Sequence, residues 1–454
     1  MPDVGIYVQS AYAKQNYANE NYNVRAWPGL EMVRDALTRA GIDTEYCSAA
    51  TVGRHKIILA SMTSQCDWWS FIGERATWKS KPFVLVGGTG CLNVRPFLRW
   101  ANAFWFGRAE DHIAPLVRAI MAGKRYEHSA LCYADEFDAT KQYEITQAER
   151  PYPHPVALPT GKDWVESEIG CHNRCGFCAY TWHRKGADHR AYGSGKGIWT
   201  NQNTERTMRE LLAMPDEQWQ TEGQLRMVGL DGTSQRLRMA VNKKITREHH
   251  REFLARLLKH EAGHQVKVYN IVGYPTETID DWREYVEDLV WASQQPYTAK
   301  WGIAAHFTPF RPMPATPLAT WATQYRNFRG EIAKHLKTDP RLPGNVIIDS
   351  PGLWAFETMG TESIATVAQD LVVLRGTEEA ADIITKVALS KRYWAASVAA
   401  KMATLEKHFD LGKLFGEYSW DELPTRYLHT WCQRKHMEYA GNIMSERLHG
   451  EAVK

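Results

Sequence analysis

The stretch Glu166-Ser-Glu-Ile-Gly-Cys171-His-Asn-Arg-Cys175-Gly-Phe-Cys178-Ala-Tyr180 decides how the rest of this chain is read. Its three thiols are separated by three and then two residues, close enough to turn toward one point from a single tight loop. Soft thiolates at such spacing select an iron–sulfur cluster or zinc. The chain has eight cysteines, and the other five, Cys47, Cys66, Cys91, Cys132 and Cys432, are scattered. A closed zinc site needs a fourth ligand, which His172 or His183 can supply. A cubic cluster held by three thiolates leaves one iron open instead.

Immediately upstream, Asp163 to Glu168 reads as a strand that delivers the loop from its carboxyl end, where barrel folds place their chemistry. Downstream, residues 180–199 alternate basic groups (His183, Arg184, Lys185, His189, Arg190, Lys196) with aromatics (Trp182, Tyr192, Trp199) in a Gly-rich setting. Cations neutralise phosphates and aromatic faces stack bases, so this composition suits a loop that grips nucleic acid. It equally suits a solvated loop whose aromatics pack on the domain beneath. A helix is expected from Thr204 to about Met214.

Three further strand-and-turn units follow. Leu225 to Asp231 runs into Gly-Thr-Ser234-Gln-Arg236, and Met239 to Thr246 leads to a helix that Thr246 can cap. Val266 to Val272 runs into Gly273-Tyr-Pro275-Thr-Glu-Thr278, where Thr278 and Asp281 form a capping box for a helix turning Trp282, Tyr285, Val286 and Leu289 inward. Trp301 to Phe310 enters the Pro-rich segment Arg311 to Pro317.

The cysteine loop, with Phe177 just before its third Cys, resembles the signature of the radical S-adenosylmethionine (SAM) superfamily. Gly229-Leu-Asp231-Gly-Thr-Ser234-Gln-Arg236 resembles that family's Gly-x-Glu-(Ser/Thr)-Gly-Ser-x-Arg, with Asp231 in place of Glu. Gly273-Tyr-Pro275-Thr-Glu277-Thr278 is similar to its Gly-x-Pro-x-Glu-Thr. Together these cover residues 161–320 in the family's order. The resemblance implies a partial (β/α) barrel and a [4Fe-4S] cluster on Cys171, Cys175 and Cys178. It further implies SAM on the open iron, contacted by Phe177, Tyr180, Asp231, Ser234, Arg236, Gly273 and Pro275, and an electron donor such as flavodoxin or ferredoxin. The family cleaves SAM to a radical that abstracts a hydrogen atom. Residues 179–225 hold no clear Gly-Gly-Glu motif, and Trp199 to Glu205 is the candidate replacement.

The N-terminal region alternates strand and helix: strand from Val4, helix from Pro28 to Ala40 closed by Gly41, strands at Thr44–Cys47, Lys56–Met62 and Pro82–Gly88, and a helix from Asp111 to Met121. Apolar runs of this kind are covered on both faces, so a doubly wound parallel sheet is expected, binding ligands near Gln9, Thr63 and Gly87-Gly88-Thr89-Gly90. Those glycines serve either a ligand or an ordinary strand-to-helix turn. Val84 to Asn93 with Ala103 to Glu110 is similar to the cobalamin-binding domain of one radical SAM subfamily, which makes cobalamin a further expected cofactor. That subfamily's Asp-x-His-x-x-Gly loop has no counterpart here. The chain as a whole is similar to phage radical SAM enzymes that remodel amino-acid adducts on thymine in DNA.

The expected layout is a Rossmann-like, cobalamin-binding-like domain over 1–123, a Pro-punctuated linker over 124–160, the barrel over 161–320 and a helical region over 321–454, with a long helix from Thr377 to about Met402. Lys391 to Trp394 and Arg426 to His436 again mix cations with aromatics. At 454 residues, 44% hydrophobic and 24% charged, the chain has the composition of a soluble protein of two or three domains. No apolar run is long enough for a membrane, no signal segment is evident, and scattered cysteines suit a reducing compartment, so a cytoplasmic location is expected. The net charge of +3 does not by itself demand a polyanionic partner. Two functions fit: a radical SAM modification or isomerisation of a nucleotide in DNA or RNA, and a cobalamin-dependent methyltransferase acting on a small molecule or peptide. A zinc-stapled binding protein is the non-catalytic reading.

Overall fold

The computed structural model describes residues 2–7, 28–139, most of 141–157, 163–170 except 167, 175–178, 187–189, 198–200, 212–213, 215, 227–260, 266–296, most of 303–323, 339–341, 346–347 and 364–411. It is a mixed α/β structure. Strands β1 (Val4–Tyr7), β2 (Thr44–Cys47), β3 (Ile57–Ser61), β4 (Phe83–Gly87), β5 (Ala103–Trp105) and β6 (Leu131–Tyr133) form one sheet in the order β2-β1-β3-β4-β5-β6. All neighbours are parallel except β5 and β6. Helices α1 (Pro28–Arg39), α2 (Cys66–Arg75) and α3 (Ile113–Met121) cover it. Both faces are apolar: Tyr7, Ile58, Val84, Val86 and Phe104 pack with α2, while Ile6, Leu59, Leu85 and Trp105 pack with α1 and α3. Two-faced burial is why these strands read as unbroken apolar runs. Gly41, at φ +72, ends α1 in the left-handed conformation that favours glycine.

The expected doubly wound sheet is therefore present, with α3 starting at Ile113 rather than Asp111. Strand β6 lies within the segment read as a connector; at three residues it is too short for its periodicity to show. Gly107, at φ +90, sits so close to Thr146 that a Cβ there would meet the Thr146 carbonyl oxygen at 2.3 Å. This contact folds residues 143–146 back onto the sheet.

Strand β7 (Val156–Ala157) pairs antiparallel with β8 (Asp163–Val165), whose other edge pairs parallel with β11 (Ile198–Thr200). The strand expected over Asp163–Glu168 is thus split. Its second half, β9 (Glu168–Gly170), pairs antiparallel with β10 (Ala187–His189), inside the basic–aromatic stretch. That stretch is therefore not wholly loop. Backbone pairing to β9 overrides its Gly-rich composition, and β11 places Trp199, read as part of the same loop, on a second strand.

A four-stranded parallel sheet carries the remaining motifs: β12 (Met227–Gly229), β13 (Val266–Val272), β14 (Ile303–Pro309) and β15 (Val346–Ile347), in that order. Helices α4 (Gln235–Ala240), α5 (Arg247–His260) and α6 (Ile279–Ser293) connect them. Trp282, Tyr285, Val286 and Leu289 are buried as expected, with Phe253, Leu254, Val268 and Phe307. Asp288, fully buried, accepts hydrogen bonds from Arg247 Nε at 2.6 Å and Arg251 Nε at 2.7 Å and lies 3.3 Å from His250 Nδ1. It clamps α5 to α6. Among the described residues β11 and β12 stand in separate sheets.

The single long helix expected over 377–402 is instead α8 (Ala380–Ala388), α9 (Lys391–Trp394) and α10 (Val398–Glu406), following α7 (Ile364–Arg375). Ser390 and Ser397 interrupt it because each caps a new start, accepting from Tyr393 N and Ala400 N. These helices dock on the first sheet's α2, and the Asn93 amide donates to the carbonyls of Val373 and Gly376 at 2.8 Å. The segment 426–436 lies outside the described residues.

Gly107→Ala is expected to destabilise the protein by about 2 kcal/mol or more, from the positive φ and the backbone clash together. Gly29→Ala, where a Cβ meets nothing within 4 Å, is expected to stay within about 0.5 kcal/mol of the parent. Urea denaturation of the two variants side by side checks this.

Candidate active site

Three parallel strands of the four-stranded sheet, β12, β13 and β14, each run into one of the sequence motifs, so the motifs converge on one rim by construction. Beyond β12, Asp231 adopts φ 56, a left-handed conformation that Asp tolerates. Its carboxylate pairs with Lys243 Nζ at 2.7 Å. A Cβ on Gly229 would come within 3.3 Å of both Asp231 carboxylate oxygens. The missing side chain leaves that edge of the carboxylate uncovered.

Beyond β13, the Tyr274 hydroxyl donates to the Asp231 carbonyl at 2.9 Å. Burial, reinforced by the Asp231 carboxylate and then Cys175, pushes the phenol well above its ordinary value, so it stays a donor. Glu277 is fully buried and accepts from Gly273 N at 2.6 Å, Tyr274 N at 3.1 Å and the Thr233 hydroxyl at 2.8 Å. It stitches the turn after β13 to the turn after β12. Burial, with the Asp281 carboxylate nearby, pushes Glu277 up to about 8.

Ser234 and Arg236 converge on Asp281, the Ser234 hydroxyl and the Arg236 guanidinium both donating to its carboxylate. Arg236 also donates to the Thr276 carbonyl at 2.8 Å. Asp281 accepts from Thr278 N at 2.7 Å in the expected capping position. The structure thus places buried Ser234 and half-buried Arg236 in a brace between α4 and α6. Pro275 is buried in the same turn.

The cysteine loop docks on this rim. Gly176 N donates to the Val241 carbonyl at 2.9 Å, Leu318 N donates to the Gly176 carbonyl at 3.2 Å, and Cys178 N donates to the Cys175 carbonyl at 3.0 Å. Phe177 packs at 6.0 Å from the Tyr274 ring, within a cluster of Leu237, Val241, Tyr274, Phe310, Leu318 and Trp321. Cys175 lies against Asn242, whose φ of 64 turns its carbonyl toward the Sγ at 3.9 Å. The segments around Cys175, Asp231, Tyr274 and Leu318, far apart in sequence, meet here. Cys171 and Tyr180 lie outside the described residues, as do His172 and His183.

Alternation along β13 and β14 buries Val268, Asn270, Val272 and Phe307 against the helices and leaves Tyr269, Ile271 and Thr308 half-buried on the opposite face, below the docked loop. Lys243, Tyr274, Glu277 and Asp281 were not singled out as site residues from sequence, although Tyr274 and Glu277 stand inside a quoted motif. The signal was there. Lys243 stands within the stretch Met239 to Thr246 that resembles the family's next turn, whereas Leu318 carries no signal, since only the fold brings it in.

A buried ion pair links the first sheet to the strand that precedes the cysteine loop, beside the apolar cluster of Met32, Tyr152, Val156 and Trp164. Arg108, after β5, binds both oxygens of Glu166 at 2.7 and 2.9 Å, and Glu166, immediately after β8, also accepts from Tyr152 N at 2.7 Å. Breaking such a pair from one side costs about 3–5 kcal/mol. At the carboxyl ends of β3 and β4 the glycines serve backbone packing: Gly90 N donates to the Met62 carbonyl at 2.7 Å, and a Cβ on Gly88 would meet that same oxygen at 2.4 Å. Cobalamin, implied by the sequence resemblance, finds no imidazole between residues 8 and 27. A nearby cavity between the sheet and helices α1 and α3 has a volume of about 310 Å³. Cys47, Cys91 and Cys132 are buried thiols outside any disulfide, as the scattered cysteines were read.

No protein-family model and no curated protein matches this sequence. Two solved structures superpose weakly. One is the cobalamin-dependent S-adenosylmethionine radical enzyme OxsB with aqua-cobalamin bound, at 12% identity and TM-score 0.28 over 68% of this chain and 44% of that one. The other is the apo, selenomethionine-labelled form of OxsB, at 11% identity and TM-score 0.27 over 90% of this chain and 56% of that one. The chain thus spans about half the length of these structures. Scores this low do not establish a common fold.

Glu277 gives the rim a pH signature. Its folded-state value is raised, so the fold favours the protonated acid, and the associated stability is complete below about pH 4.5 and lost as pH rises toward 8. Glu277→Gln keeps an acceptor for the two N–H groups while removing the titration, so its stability relative to the parent is expected to climb across that window. A tenfold change in proton affinity is worth about 1.4 kcal/mol. Thermal melts of parent and variant from pH 5 to 9 check the crossing.

Proposed function

We propose that this chain is a radical SAM enzyme in which Cys171, Cys175 and Cys178 hold a [4Fe-4S] cluster and SAM binds at the carboxyl ends of β12, β13 and β14. One observation carries the reading: the Cys175–Cys178 turn is fastened by backbone hydrogen bonds to Val241 and Leu318 at the rim where Asp231, Gly273 and Tyr274 converge. A zinc staple has no need of that placement.

On receiving an electron from a donor such as flavodoxin or ferredoxin, the bound cluster and SAM supply a carbon-centred radical able to take a hydrogen atom from substrate. The protein's own part is to hold and to exclude. Phe177 against Tyr274 seals the underside of the loop from water. Asp231, fixed by Lys243 and bare on its Gly229 side, offers a carboxylate to the hydroxyl or ammonium groups of SAM. The unsubstituted edge of Gly273 allows close backbone approach, and Tyr269, Ile271 and Thr308 line the face below. Ser234 and Arg236 act through Asp281, as positioning residues.

The substrate we propose is a modified nucleotide in nucleic acid, thymine adducts in DNA being the first to try, on the strength of the basic–aromatic stretch beside the cluster loop. Residues 8–27 hold no imidazole to ligate cobalt, and methyl transfer takes second place.

Anaerobic reconstitution is expected to load about four iron and four sulfide per chain. Cys175→Ala and Cys178→Ala are expected to lose most of both. Reduction with SAM should then release 5′-deoxyadenosine in excess over S-adenosylhomocysteine, and oligonucleotide affinity should fall with rising salt. Protein free of inorganic sulfide, or carrying fully coordinated zinc, overturns the reading.

A further inference from the structure

From Ile383 to Leu405 the chain carries four cations, Lys386, Lys391, Arg392 and Lys401, and not one carboxylate. Among the described residues none of the four forms a salt bridge. Lys386 and Leu389 share the solvent-facing stripe of α8 with Asp382, at the helical spacing i, i+4 and i+7. Asp382 is spent on Arg99, at 2.5 Å, so the stripe as it approaches Lys391 and Arg392 is cationic. Two apolar side chains stand exposed among these charges, Leu389 at 48% and Trp394 at 40%.

Trp394 is held in place. Its indole Nε1 donates to the Ala388 carbonyl at 2.9 Å, and the ring meets Trp69 and Tyr393 edge to face, with centroids 6.2 and 5.2 Å away. The polar atom of the ring is thus satisfied inside the protein, and what reaches solvent is aromatic surface. The Lys401 ammonium stands 6.0 Å from the ring centroid. A solvated helix face accounts for the cations alone. A fixed indole beside unpaired cations is what stacks a base and neutralises the phosphates on either side, with little ordering left to do. Two exposed apolar side chains are too little apolar surface for a helix that lies in a membrane.

The patch is also tied to the rim. Tyr393, buried next to Trp394, accepts from Gln369 Nε2 at 2.7 Å. On the same helix α7, Asp370 pairs with Arg311 at 2.5 Å and Arg375 donates to the Trp321 carbonyl at 2.5 Å. Trp321 packs in the cluster that holds Phe177. A strand laid on Trp394 is therefore placed relative to the cysteine loop by packed elements.

We propose that Lys386, Leu389, Lys391, Arg392, Trp394 and Lys401 form a docking surface for a single-stranded stretch of nucleic acid, with one base on Trp394 and its flanking phosphates on the cations. This deepens the nucleic-acid half of the proposed function and rests on that half; the radical half plays no part in it.

The test is fluorescence anisotropy of a labelled oligothymidylate of about 16 nucleotides, titrated with full-length, cluster-free protein. Saturable binding is expected. Trp394→Ala should weaken it about tenfold and Trp394→Phe, which keeps a ring, by less. Leu389→Glu, which puts a carboxylate into the exposed patch, should weaken it as well. Joint Lys391→Gln and Arg392→Gln should reduce the slope of log affinity against log salt by about 1.4. Urea denaturation of each variant checks the fold, and if Trp394→Ala does not fold, the exposed positions 389, 391 and 392 decide. Affinity and salt slope unchanged in those variants overturn the surface and leave the nucleic-acid substrate standing. No binding by the parent overturns both, while release of 5′-deoxyadenosine decides the radical reading separately. Capture of the parent on phosphatidylserine vesicles, lost in Leu389→Glu while oligonucleotide affinity holds, assigns the patch to a membrane and overturns the proposal.

Discussion

The arrangement depends on the fastening of a four-residue turn. Gly176 gives its N–H to the Val241 carbonyl at the end of α4 and its carbonyl takes the N–H of Leu318 beyond β14, so the Cys175–Cys178 loop is held by main chain and not by long side chains. Backbone bonds at a buried rim resist displacement because an unpaired N–H or C=O there has no water to turn to. Two thiols are thereby set at the rim by the fold itself.

Beneath that fastening is a second layer of buried carboxylates. Glu277 joins the turns after β12 and β13, and Asp281 joins Ser234, Arg236 and Thr278. Residues that a motif suggests as ligands thus divide into two kinds. Asp231 keeps an open edge toward the rim, whereas Ser234 and Arg236 are committed to holding helices. A motif records both kinds alike, since losing a brace disables a site as surely as losing a contact.

The first sheet is tied to this centre by Arg108 and Glu166, and the C-terminal helices return to pack on that sheet through Asn93. Three stretches of sequence therefore bear on one another. The pairing is also economical. One guanidinium both walls a cavity and anchors the strand that leads to the cysteines.

Much of this was legible in the sequence. Two-faced apolar runs announced the parallel sheet, and Gly41 and the Thr278/Asp281 pair marked helix ends, because each is a local rule written in adjacent residues. What was not legible is of the opposite kind. The split of β8 from β9, the strand inside the basic–aromatic stretch, β6 and the broken C-terminal helix all turn on pairings or caps that win over propensity only once a partner is present. Lys243 beside Asp231, Leu318 on Gly176 and Arg108 on Glu166 are contacts between distant segments, and no periodicity encodes them. Sequence determined which residues were available for chemistry; only the tertiary structure decided which of them face the rim and which are committed to holding it, since hydrogen-bonding capacity is assigned by proximity.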